Sequence, residues 1–185
     1  MKTISILTFL ILLFSQCNEN PTSTNTDEYI LASYNKSKIE SMAKSLENDA
    51  SLINIFSDDV NLDGKSISWY HKYYSYSSDL RYYFHTTYKE TFLDSSISGS
   101  IIGSTYITHD WFDSDKAIEI AERNGGKVFR EENPEYILEA SLSEPLVPNT
   151  STFWYIKYRS KKNDSKSILF GIDANTGEVT LKYPE

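Results

Sequence analysis

The stretch Phe153–Tyr183, FWYIKYRSKKNDSKSILFGIDANTGEVTLKY, decides how the chain folds. Trp154, Ile156 and Tyr158 alternate with Phe153, Tyr155 and Lys157. Ile168, Phe170 and Ile172 repeat the alternation, and Val179, Leu181 and Tyr183 repeat it again. A period of two places alternate side chains on opposite faces of a strand, so three strands are predicted. Ser160–Lys166 between the first two is wholly polar and suits a solvated hairpin loop. Asp173-Ala174-Asn175-Thr176-Gly177 joins the second and third. Gly177 supplies the positive φ of a tight turn, and the Asp173 carboxylate can accept backbone amides ahead of it. The three strands read as an antiparallel meander.

An earlier segment, Trp69–Tyr88, is a weaker copy. Trp69-Tyr70-His71-Lys72-Tyr73 matches Trp154-Tyr155-Ile156-Lys157-Tyr158 in residue type and spacing. Each copy follows a helix. Before the first, Ile39, Met42, Ala43, Leu46, Ala50 and Ile53 form one helical stripe, predicting a helix over about Ser33–Asp49. Before the second, Asp113-Ser114-Asp115 reads as an N-cap with acidic residues in the first turn. Ala117, Ile118, Ile120 and Ala121 supply the apolar face, and Asn124-Gly125-Gly126 reads as the stop. Lys127–Arg130 reads as the start of a strand. Leu52–Phe56, Gly99–Ile107 and Glu135–Leu142 are further strand candidates, and Pro145 and Pro148 mark a loop.

Tyr155–Tyr158 followed by Leu169-Phe170-Gly171-Ile172 and the D-x-x-T-G-E-V run Asp173–Val179 resembles the end of a PepSY-type domain. With the preceding helix the resemblance covers about 113–182. It implies a small α+β module found outside the bacterial cytoplasm, in some cases as a peptidase propeptide, and it brings no catalytic residue. The expected fold class is therefore α+β, two tandem PepSY-like units, each a helix packed on an antiparallel sheet. Residues 31–107 would form the first, degenerate unit and 108–185 the second.

Met1–Gln16 is expected to be a signal peptide, with Lys2 followed by the nearly unbroken apolar run Ile4–Phe14, too short to span a bilayer. It ends at Cys17, the only cysteine. The arrangement resembles a bacterial lipoprotein signal, although Phe14 and Gln16 depart from the commonest pattern. Lipidation at Cys17, a polar tether over 17–30 and an exported, membrane-anchored chain in the cell envelope are expected. With one cysteine, disulfides and cysteine metal sites are excluded. Without Lys2 the chain carries 17 basic against 26 acidic residues. That balance speaks against nucleic acid and against direct binding to anionic lipid headgroups.

Candidate chemistry is sparse. Asp59, Asn61 and Asp63 with Gly64 match the first half of a calcium loop. Position 12 is Tyr70 rather than a bidentate glutamate, and a strand follows, so a turn is the preferred reading and neither metal nor cofactor is expected. His71 and His85 lie on partner strands of the first hairpin. A register that sets them face to face splits the apolar residues between both faces. The neighbouring register gathers Ile67, Trp69, Tyr73, Leu80, Tyr82, Phe84 and Tyr88 on one face and separates the histidines, so core formation selects it. No H-E-x-x-H or G-x-S-x-G sequence occurs.

The expected function is binding without catalysis, with a peptidase or other envelope protein as partner and Tyr70, Tyr74 and Tyr76 as the interaction face. The alternatives are a hydrolase using acidic residues near Asp110 and Asp113, or a small-ligand carrier with a closed pocket lined by Trp and Tyr.

Overall fold

The structure, a computed structural model, describes residues 28–99, 106–107, 110–143, 151–163 and 165–184. The signal peptide, Cys17, most of the tether, most of the Gly99–Ile107 segment, His109 and the Pro145/Pro148 loop lie outside the described residues.

Eight strands form one antiparallel sheet: β1 (Ser51–Ser57), β2 (Ser68–Ser75), β3 (Leu80–Thr87), β4 (Thr91–Ser98), β5 (Tyr136–Ser143), β6 (Phe153–Ser160), β7 (Ser167–Asp173) and β8 (Val179–Pro184). Their order is β4-β3-β2-β1-β5-β6-β7-β8. Two four-stranded meanders thus meet through their first strands, Asn54 opposite Ser143 and Ser57 opposite Ala140. This overturns the expectation of two tandem helix-on-sheet units. The internal similarity of the strands is real in sequence, but β1 and β5 each need a partner on both sides and find it in each other. One continuous sheet results, with no edge left at the middle of the chain.

The terminal meander is as expected. β6, β7 and β8 pair in sequence, and Asp173 Oδ1 accepts the amides of Asn175 and Thr176 at 2.9 and 2.8 Å. Gly177 takes φ 79° and donates its amide to Asp173 O at 2.9 Å. β2 and β3 pair in the register that separates the histidines, Trp69 opposite Thr86 and Tyr73 opposite Tyr82. β4 was not anticipated. Its TFLDSSIS sequence has five polar side chains in eight and is largely exposed, so its hydrophobic pattern is weak and its pairing with β3 comes from the ladder.

The helices lie on one face of the sheet. α1 (Lys36–Leu46) is shorter than the stripe predicts and buries Ile39 and Ala43. α2 (Ser114–Ala121) starts at Asp113, whose carboxylate accepts the Ser114 amide at 2.8 Å, as expected of an N-cap. Gly125, at φ 128°, makes a sharp bend rather than a stop. The chain re-enters α3 (Lys127–Glu132), which corrects the strand expected from Lys127. The same Asp113 carboxylate also receives the Ser33 amide and hydroxyl, tying the lead into α1 to the start of α2.

The core between helices and sheet centres on three indoles. Trp154 is fully buried, edge-on to Trp69 at 6.3 Å and to Trp111 at 6.0 Å. Trp69 Nε1 donates to Ile30 O at 2.9 Å and Trp154 Nε1 to Phe112 O at 2.8 Å, so each ring satisfies its polar atom. Under the bend, Tyr158 donates to Glu122 at 2.8 Å and Glu122 holds Arg130 through both oxygens. Burial and that hydrogen bond hold the Tyr158 hydroxyl well above the usual phenol range.

Candidate interaction face

The other side of the sheet, away from the helices, presents side chains of the strands themselves. One transverse row crosses all eight strands: Phe92 opposite His85, His85 opposite Tyr70, Tyr70 opposite Phe56, and Phe56 opposite Ser141. It continues as Ser141 opposite Tyr155, Tyr155 opposite Gly171 and Gly171 opposite Leu181. In its first half the rings pack against one another. Phe56 and Tyr70 stack at 5.2 Å, Tyr70 and His85 at 4.7 Å, and Phe92 meets His85 edge-on at 5.2 Å. Rings that cover one another's faces turn edges outward, making a half-buried apolar ridge.

At Ser141 the row drops. Between Phe56 and Tyr155 lies an open groove of about 430 Å³ that also takes in Asn54, Glu139, Lys157 and Leu169. Its floor is fixed, because Asn54 Nδ2 donates to Ser141 Oγ at 2.8 Å and to Leu142 O at 2.9 Å. Burial pushes the Tyr155 hydroxyl up from its ordinary value. Beside the groove, Lys72 lies over the Tyr83 ring at 5.4 Å, and Arg159 reaches Glu139 at 3.1 Å.

The three tyrosines expected to share an interaction face are only partly brought together. Tyr70 stands in the ridge. Tyr74 is 4% exposed and spends its hydroxyl on Asp79 at 2.8 Å; that bond, with burial, pushes its pKa up to about 12. Tyr76 is 79% exposed but lies past the end of β2, in the turn. Alternation along one strand singles out Tyr70 and Tyr74, but not which end of it neighbouring side chains will cover. No sequence pattern groups Phe56, Ser141 and Tyr155, because the groove exists only once β1 pairs with β5, and no local pattern announces that pairing.

The other candidates resolve structurally. Asn61 Oδ1 accepts the Asp63 and Lys65 amides at 3.0 and 2.9 Å, the self-contained bonding of an Asx turn. Among the described residues no three of His, Cys, Asp and Glu are grouped to hold a metal ion. Gly64, at φ 73°, packs on α2: a Cβ there would sit 2.3 Å from Asp115 Cα and N. Gly64→Ala is expected to cost about 2 kcal/mol or more, lowering Tm by roughly 5 °C or more. Asp59→Ala and Asp63→Ala should stay within about 0.5 kcal/mol. Equal melting of all three variants would show that the turn does not bear on α2.

His71 and His85 end on opposite faces, His71 in the core and His85 in the ridge. Asp113 is used up in capping and Asp115 accepts the Lys116 amide at 2.7 Å. Asp110 lines a polar cleft of about 240 Å³ with Lys36, Glu40, Lys44, Tyr73 and Trp111, where two cations sit beside two carboxylates. The tryptophans fill the core or its rim rather than a closed apolar pocket.

The fold is shared with a solved structure, the crystal structure of a presumed lipoprotein from Clostridium difficile 630. The TM-score is 0.56 at 15% identity, over 81% of this chain and 92% of that one. No protein-family model matches the chain, the PepSY family among them, and no curated protein does. No helix among the described residues is long and apolar enough to cross a membrane.

Proposed function

We propose that this is a lipid-anchored cell-envelope protein that binds another envelope protein through the open face of its sheet and carries out no catalysis. The observation that supports this reading most is the one-sided construction. Helices cover one face of an eight-stranded sheet, and the other presents an aromatic ridge, a groove and a charged margin. A half-buried apolar surface of that extent is a common signature of association. The fold neighbour's description as a presumed lipoprotein agrees with the Cys17 signal. A peptidase is one partner the PepSY resemblance suggests.

Two measurements test the two halves of the proposal. Cys17→Ser should move the protein from the membrane fraction to the soluble fraction; retention in the membrane overturns the lipid anchor. A photo-crosslinking residue at Tyr155 should yield one discrete adduct in intact cells, while the same residue at Lys38, exposed on α1, should not. Crosslinking from Lys38 alone would move the interface to the helices.

A further inference from the structure

Building on the binding reading above, we infer that the open face takes an acidic protein segment, anchored by one large apolar side chain set over Ser141 between Phe56 and Tyr155. Charge is the first reason. The whole chain carries a net charge of −8. Alternation along the strands puts Lys72, Arg81, Lys157 and Arg159 on the open face against Glu139, with Asp79 at the far end of β2 on the Tyr74 hydroxyl. The face is thus opposite in sign to the molecule that bears it. Charges of one sign gathered around a partly desolvated groove attract complementary partners and repel like ones.

Shape is the second reason. The groove at Ser141 interrupts a row that is otherwise filled from edge to edge, since Leu181 covers Gly171 at the equivalent dip in the second half. Among the described residues that dip stays open; its walls are aromatic, its floor is polar and rigid, and its margin carries Lys157 and Lys72, with Glu139 paired to Arg159. That combination fits an apolar side chain with carboxylates on either side, the arrangement of a central anchor inside a charged rim. A lipid surface is flat and would rest on the ridge without entering the groove. A sugar ring would find no aromatic plane to lie on along the ridge, because Phe56, Tyr70 and His85 cover one another.

The test uses the mature chain with Cys17→Ser and, as probe, a short labelled peptide with one phenylalanine flanked by glutamates. The acidic peptide should bind, and its affinity should fall as salt is raised. The same peptide with lysines for the glutamates should not bind. Lys72→Glu with Lys157→Glu should weaken the acidic peptide by about tenfold or more and admit the lysine peptide instead. Ser141→Phe, which fills the groove, should weaken binding without lowering Tm. Equal binding of both peptides, or binding untouched by charge reversal, overturns the inference. Binding of phosphatidylglycerol vesicles in place of the peptide overturns it in favour of a membrane surface. If the acidic peptide fails while the Tyr155 crosslink persists, the partner is a protein of other chemistry: this inference falls and the binding reading stands.

Discussion

Trp154→Ala is expected to destabilise the protein by about 3–5 kcal/mol, the usual cost of removing a large buried aromatic. The ring is fully buried and closes the interface between Trp69 and Trp111, and its nitrogen satisfies the Phe112 carbonyl. Truncation would open a cavity where both meanders and the lead into α2 converge, and would leave that carbonyl without its donor. Trp154→Phe should recover part of the loss, since it restores volume but not the hydrogen bond. Chemical denaturation of the two variants reads this out. An alanine variant as stable as the parent would place the centre of the core elsewhere.

The second large effect concerns His71 and runs the other way. Its side chain is 0% exposed and both ring nitrogens lack a hydrogen-bond partner. Burial, with Lys36 nearby as a lesser cause, lowers its pKa from 6.5 to about 3. Because the folded value is the lower one, the unfolded chain takes up a proton that the folded chain refuses between these two values. Stability conferred by the neutral ring is therefore complete above pH 6.5 and drains away as pH falls toward 3, at up to about 1.4 kcal/mol per pH unit. His71→Leu removes both the titration and the unsatisfied nitrogens. It should raise stability at neutral pH by about 1–3 kcal/mol and flatten the profile between pH 6.5 and 4.5. Asp49, Glu119 and Asp173 also have lowered pKa values, but carboxylates act below about pH 4, outside this window. Parallel pH profiles for the two proteins would show that His71 is hydrated or paired in solution.

Much of this architecture was legible wherever a strand has one buried face. The alternations at Trp154–Tyr158 and Trp69–Tyr73, the Asp173–Gly177 turn and the Asp113 cap each state a local physical requirement that the folded chain meets. The register of β2 against β3 followed from gathering the apolar set on one side. What could not be read was long-range. The pairing of Ile55 with Leu142 leaves no mark in either strand beyond both being apolar. β4 is carried by its neighbour and not by its own composition. Gly125-Gly126 looked like a terminus, although a single residue with positive φ can also turn a helix and let it resume. The groove shares the fate of the β1–β5 pairing that makes it, which is why alternation along β2 places Tyr70 on that side of the sheet while nothing local marks Ser141.

The join between β1 and β5 also has a kinetic meaning. Every other ladder in the sheet links strands adjacent in the chain, so each meander can grow from local hairpins at small entropic cost. The β1–β5 ladder is shorter and requires residues more than 80 positions apart, such as Ile55 and Leu142, to meet. Contacts that close long loops are slow to form. The two halves are thus expected to acquire structure early and to stay open to solvent along β1 and β5 until the last step. That late closure leaves two unpaired strand edges exposed longest, which makes them the point where misassembly with a second chain is most favoured.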